Sequence, residues 1–120
     1  MRILIVDDSR AMRAIIMRTL RQAGLGGHDL VEASNGVEAL SACRSSSPDL
    51  VLSDWNMPEM NGMELLLALR RMGSPVKFGF VTSEGSPEMR RTAAEAGALF
   101  LIAKPFTTDA FRFALERAMP

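Results

Sequence analysis

Five short apolar runs constrain this chain more than any other feature. They are Ile3–Val6, Leu30–Ala33, Leu50–Ser53, Phe78–Val81 and Leu99–Ala103. Each is continuous rather than alternating, the pattern expected of strands covered on both faces. Amphipathic segments separate them. Met12, Ile15, Ile16, Thr19 and Leu20 share one helical face, and Gly24 follows as a stop. Val37, Leu40 and Ala42–Cys43 mark a second helix. Leu65, Leu66 and Leu69 mark a third, ahead of the breaker Gly73-Ser74-Pro75. A fourth has Ser86 as N-cap, Pro87 at its first position and Gly97 past its end. The fifth begins near Thr107-Thr108-Asp109 and gathers Phe111, Leu115 and Ala118 on one side. At about 100° per residue, Phe113 lies on the other side and faces water. Strands alternating with helices in this way predict an α/β fold, a doubly wound parallel sheet of five strands.

The 120 residues suit one domain, spanning 1–120, with no output domain behind it. Lysine plus arginine balance aspartate plus glutamate at 14 each, so charge gives no reason to expect nucleic acid or a membrane surface. Cys43 is the only cysteine, which rules out an internal disulfide, and it reads as a small buried apolar residue in a helix. The opening stretch is too short for a signal peptide, and no run approaches membrane-spanning length. A soluble, cytoplasmic protein is expected, monomeric or weakly dimeric.

In sheets of this class, ligands bind beyond the carboxyl ends of the strands, where the strand order reverses. The first strand ends in Asp7 and Asp8, the third in Asp54, the fourth in Thr82 and Ser83, and the fifth in Lys104 and Pro105. With the strands in the order 2-1-3-4-5, the first and third are neighbours. Three carboxylates then meet in one crevice opposite a lysine. They repel unless one is protonated or a cation joins them. Mg²⁺ suits an open, all-oxygen site that uses few carboxylates. The lysine and the Thr82 hydroxyl are free to meet an arriving phosphoryl group, with one carboxylate as nucleophile.

The stretches "VDDSRAMR" (6–13), "DWNMPEMNG" (54–62), "VTSE" (81–84) and "GALFLIAKPF" (97–106) resemble the receiver domain of two-component response regulators, most closely the single-domain, CheY-like group. The resemblance implies the flavodoxin/CheY-like (βα)5 fold. It also implies that Asp54 accepts the phosphoryl group from a sensor histidine kinase. Asp8 becomes a direct Mg²⁺ ligand, Asp7 helps hold the ion through water, and Asn56 offers its backbone carbonyl. Thr82 is the switch hydroxyl, Lys104 pairs with the phosphoryl group, and Pro105 is cis. Pro58 stiffens the loop after Asp54, and Gly62 permits the turn into the third helix. One position departs from the family. Three residues before Lys104, where relatives carry tyrosine or phenylalanine, stands Leu101, and the chain has no tyrosine. Alternation sends Phe100 to the opposite face, so it cannot substitute.

The resulting expectation is a stand-alone receiver that changes affinity for a downstream protein in chemotaxis-type signalling or a phosphorelay. It accepts phosphate and assists its own phosphorylation and dephosphorylation without being a turnover enzyme. The competing reading is a phosphatase or phosphotransferase that forms an aspartyl phosphate. Such enzymes usually carry a second aspartate two residues after the nucleophile, where this chain has Asn56. A flavin-binding module needs a phosphate-cradling loop after the first strand, and "DDSRAM" is acidic there. Among the remaining residues, His28 reads as a surface histidine without a role. The methionines read as core filler, with Met57 and Met60 under the turn. Trp55 reads either as a partner contact or as partial packing beside the site. Phe113, if exposed, is a candidate anchor for a partner or a second copy.

Overall fold

The computed structural model describes residues 1–119. Five parallel strands, β1 (Arg2–Val6), β2 (Asp29–Ala33), β3 (Leu50–Ser53), β4 (Lys77–Thr82) and β5 (Phe100–Ala103), lie in the order β2-β1-β3-β4-β5. The helices between and after them are α1 (Arg10–Leu20), α2 (Gly36–Ser46), α3 (Gly62–Arg71), α4 (Pro87–Glu95) and α5 (Thr108–Leu115). The apolar runs are continuous because each strand feeds two cores. Ile3, Ile5, Leu50, Leu52, Val81, Phe100 and Ile102 pack with Ile16 and Leu20 of α1 and with Phe111 and Leu115 of α5. Leu4, Val6, Val51, Phe78 and Phe80 face the other way, toward Ala39 of α2, Leu65, Leu66 and Leu69 of α3, and Ala93 of α4.

The helix starts follow local chemistry. Ser9, Asn35, Asn61, Ser86 and Thr107 each accept a hydrogen bond from the backbone N–H three residues on, filling one of the donors a helix start leaves open. Asn61 and Glu64 form a reciprocal capping box. Pro87 occupies the first turn of α4, and Gly97, with φ of 101°, follows its end. At the end of α1 the chain widens into a π-turn over Arg21–Leu25, which Gly24 breaks with φ of 87°.

The structure departs from the sequence expectations at several positions. Ile15 is 43% exposed. The buried stripe of α1 runs through Ile16, Thr19 and Leu20, and Ile15 lies about 100° from Ile16 on the side away from Leu20. In α2, Gly36 and Ala39 are buried, Leu40, Ala42 and Cys43 pack partly buried against the same core, and Val37 is half exposed. α5 ends at Leu115, short of Ala118. Ala118 stays buried in the following turn, where its carbonyl accepts the Lys77 ammonium at 2.7 Å. The methionines Met12, Met17, Met57, Met60 and Met63 are half-buried at the margins of the two cores, and Met72 is exposed. Their flexible side chains fill gaps where helix, loop and sheet meet. His28 is half-buried, its Nδ1 2.8 Å from the amino group of Met1. Cys43 is half-buried, and burial pushes its thiol up to about 11, which keeps it protonated and unreactive.

Candidate phosphoacceptor site

The carboxyl ends of β1, β3 and β5 converge because β1 and β3 are hydrogen-bonded neighbours and β5 is reached across β4. The Asp54 N–H donates to the Val6 carbonyl at 2.9 Å, which carries the β1–β3 pairing past the last strand residue and sets Asp54 beside Asp7. Carboxylate oxygens of Asp7, Asp8 and Asp54 lie within 4.8 Å of one another. Their surroundings differ. Asp7 is buried and accepts from the Ser9 N–H at 2.9 Å and from Lys104 Nζ at 3.0 Å. Asp54 is half-buried and accepts from the Trp55 N–H at 2.7 Å and from Lys104 Nζ at 3.2 Å. Asp8 is exposed, and among the described residues its carboxylate has no hydrogen-bond partner.

Lys104 reaches this cluster because the β5 ladder continues into it. Its N–H donates to the Thr82 carbonyl at 2.8 Å, and the Lys104–Pro105 peptide is cis. Burial is the largest single influence on its ammonium and favours the neutral amine. The hydrogen bond to Asp7 and the charges of Asp54 and Asp7 together outweigh it, so its pKa lies above the usual lysine range. One ammonium against three carboxylates still leaves two negative charges without a partner. The donor set is all oxygen, with Asp8 open to solvent, which fits a hard divalent cation that keeps several waters.

The opposite rim carries the remaining expected residues. Thr82 is fully buried, and its hydroxyl accepts from the Glu84 N–H at 3.4 Å. Asn56 is exposed, and its side-chain amide donates to the Glu84 carboxylate at 3.0 Å. This bridge between the loops after β3 and β4 was not legible in the sequence, because its partners stand 28 positions apart. Trp55 packs partly beside the site, stacked on Phe80 with centroids 4.7 Å apart. Met57 and Met60 are half-buried against the core that α2, α3 and α4 cover. Gly62 is needed for a different reason from the one the turn suggested. Its torsion is ordinary, but a Cβ there would stand 2.1 Å from the Asp54 carbonyl oxygen.

Leu101 and Phe113 do not join the acidic cluster. They line a groove of about 510 Å³ on the outer side of β5, with Arg90, Phe106, Ala110 and Arg117. Phe113 is 67% exposed and Arg117 lies over its ring. Leu101 packs toward the α2–α4 side, while Phe100 packs on the other face, its ring in the space above Gly79, so the predicted alternation is observed.

The family model for the response regulator receiver domain matches residues 3–116. The chain belongs to that family. It is 40% identical over 119 residues to a chemotaxis protein CheY homolog of Campylobacter jejuni, an alignment covering 97% of this chain and 90% of the relative. Chemotaxis protein CheY1 of Helicobacter pylori is also 40% identical, with 97% and 94% covered. Among solved structures, chemotaxis protein CheY4 of Vibrio cholerae superposes with a TM-score of 0.86 at 32% identity, covering 98% of both chains. The chain is therefore a CheY-like receiver, a signalling domain rather than a turnover enzyme. No helix among the described residues is long and apolar enough to cross a membrane.

Proposed function

We propose that this chain is a stand-alone receiver in chemotaxis-type signalling. On this reading Asp54 takes a phosphoryl group from a phosphohistidine of a sensor kinase, and the modification changes affinity for a downstream protein. The observation that carries it is Lys104 bridging Asp7 and Asp54 within a three-carboxylate cluster. The near-complete coverage of relatives named for chemotaxis supports the cellular role.

Asp7, Asp8 and Asp54, with the Asn56 carbonyl, would hold Mg²⁺. Bound there, the ion supplies charge compensation for the carboxylates and for the phosphoryl oxygens. The Asp54 carboxylate attacks phosphorus. The new bond is P–O, the P–N bond to the kinase histidine breaks, and its electron pair returns to the imidazole nitrogen. The Trp55 N–H fixes one Asp54 oxygen, which orients the carboxylate for attack. Lys104 then exchanges its Asp54 contact for a phosphoryl oxygen. The buried Thr82 hydroxyl sits at the adjacent strand end and donates to the same group.

Incubation with Mg²⁺ and a small acyl phosphate or phosphoramidate, followed by intact-mass measurement, tests the assignment. One added phosphoryl group is expected, labile to base and absent in Asp54→Asn. An adduct that survives base, or one that persists in Asp54→Asn, overturns it.

A further inference from the structure

The peptide joining the two acids of the β1–α1 turn is gripped by a side chain outside the cluster. Arg13, one turn into α1, donates from Nη1 to the Asp7 carbonyl at 2.6 Å and from Nε to the Glu32 carboxylate of β2 at 3.0 Å. The Arg13 side chain is 13% exposed. Asp7 is thereby held at every polar atom. Its N–H donates to the Ala33 carbonyl, its carboxylate accepts from Ser9 and Lys104, and its carbonyl accepts from Arg13. Asp8 has none of these restraints on its carboxylate. Its direction is set by the backbone, and the planar Asp7–Asp8 peptide is the last rigid unit before its Cα. Arg13 fixes one end of that plane.

Glu32 matters for a second reason. A guanidinium beside three carboxylates is suited to bidentate pairing with one of them, where it would compete with a cation. Here Nε is engaged by Glu32, from a strand whose Glu32 lies in register with Ile5 of β1. The positive charge is kept on the β2 side of the turn.

We propose that Arg13, restrained by Glu32, is a positioning residue for cation binding. It orients the Asp7–Asp8 peptide so that Asp8 faces the cluster, and Glu32 keeps it off the carboxylates. This rests on the reading of Asp7, Asp8 and Asp54 as a Mg²⁺ site. The two influences of Arg13 have opposite signs. As a charge it weakens cation binding; as a positioner it strengthens it. Its removal therefore separates them.

The test is a Mg²⁺ titration of the full chain, read by Trp55 emission and by calorimetry, with Tm measured in the absence of Mg²⁺. Asp8→Ala serves as the reference for a lost ligand. Arg13→Gln should weaken Mg²⁺ binding about tenfold, the low end of the loss seen when a partner behind a metal ligand is removed. Arg13→Lys retains the charge but not the two-point hold, and should weaken binding too. Glu32→Gln, on a side chain 43% exposed, should fold normally and weaken binding by releasing Arg13 onto the acids. Binding unchanged or tighter in Arg13→Gln, or unchanged in Glu32→Gln, overturns the inference while leaving the metal site standing. A wild-type chain without a saturable response overturns the metal site and this inference together.

Discussion

The two regions that flank the acidic cluster, one a wall of the site and the other the outer wall of β5, are built on opposite principles. On the β3–β4 side, Phe78 and Phe80 are fully buried, Trp55 stacks on Phe80, and Gly62 brings α3 against the Asp54 carbonyl. On the β5 side, Leu101 is half-buried, Phe113 is exposed, and a groove of about 510 Å³ remains open. The first wall holds a nucleophile in place, and a close-packed interior suits that task because it resists displacement. The second is loosely furnished and can change shape or accept a partner at little cost in stability. Substitutions should therefore act on folding at one wall and on recognition at the other.

The sharpest way to break this contrast is Phe80→Ala. It removes a fully buried ring together with the Trp55 stack, and should cost about 3–5 kcal/mol in urea unfolding. A loss under about 1 kcal/mol would mean that the first wall is not rigid. Gly62→Ala comes next. A methyl group there meets backbone, the Asp54 carbonyl, rather than a yielding side chain. Overpacking of this kind costs about 1–3 kcal/mol. It should also slow phosphoryl uptake from a small donor, because Asp54 must shift to make room. Normal uptake at lowered stability would separate the Gly62 contact from the nucleophile's placement.

At the other wall the expected effects move from stability to coupling. Leu101→Tyr adds a ring and a hydroxyl where the groove has space. It should widen the ratio of partner affinities with and without a phosphoryl mimic on Asp54 by roughly fivefold, about 1 kcal/mol and near the low end of allosteric couplings. If the unaltered chain already shows a ratio of several hundred, leucine is no handicap and the switch runs elsewhere. The smallest stability effect belongs to Phe113→Ala, within about 0.5 kcal/mol of wild type as for other exposed positions. The same change should weaken partner binding or self-association. A loss of folding stability comparable to that of Phe80→Ala would erase the difference between the walls.

The sequence by itself determined the strands, their ends and most helix starts, because these follow from local periodicity and capping, whereas the strand order was implied by the family resemblance. Continuous runs announced strands covered twice. Ser86, Pro87 and Gly97 bounded α4, and a rotation of about 100° per residue placed Phe113 in solvent. Asp7, Asp54, Thr82 and Lys104 could be singled out because each stands at a strand end, and their roles were implied by the family resemblance. What only the tertiary structure decided is which neighbour meets which face. Periodicity put Ile15 with Ile16, but α1 rolls toward Leu20 and leaves Ile15 outside. Gly62 read as a flexible turn and proved to be a close approach. Lys104 meets Asp7 across 97 positions, Asn56 meets Glu84 across 28, and Arg13 meets Glu32 across 19. Such pairings leave no periodic trace along the chain. They depend on strand register and on the reach of single side chains, which are fixed only when the sheet closes.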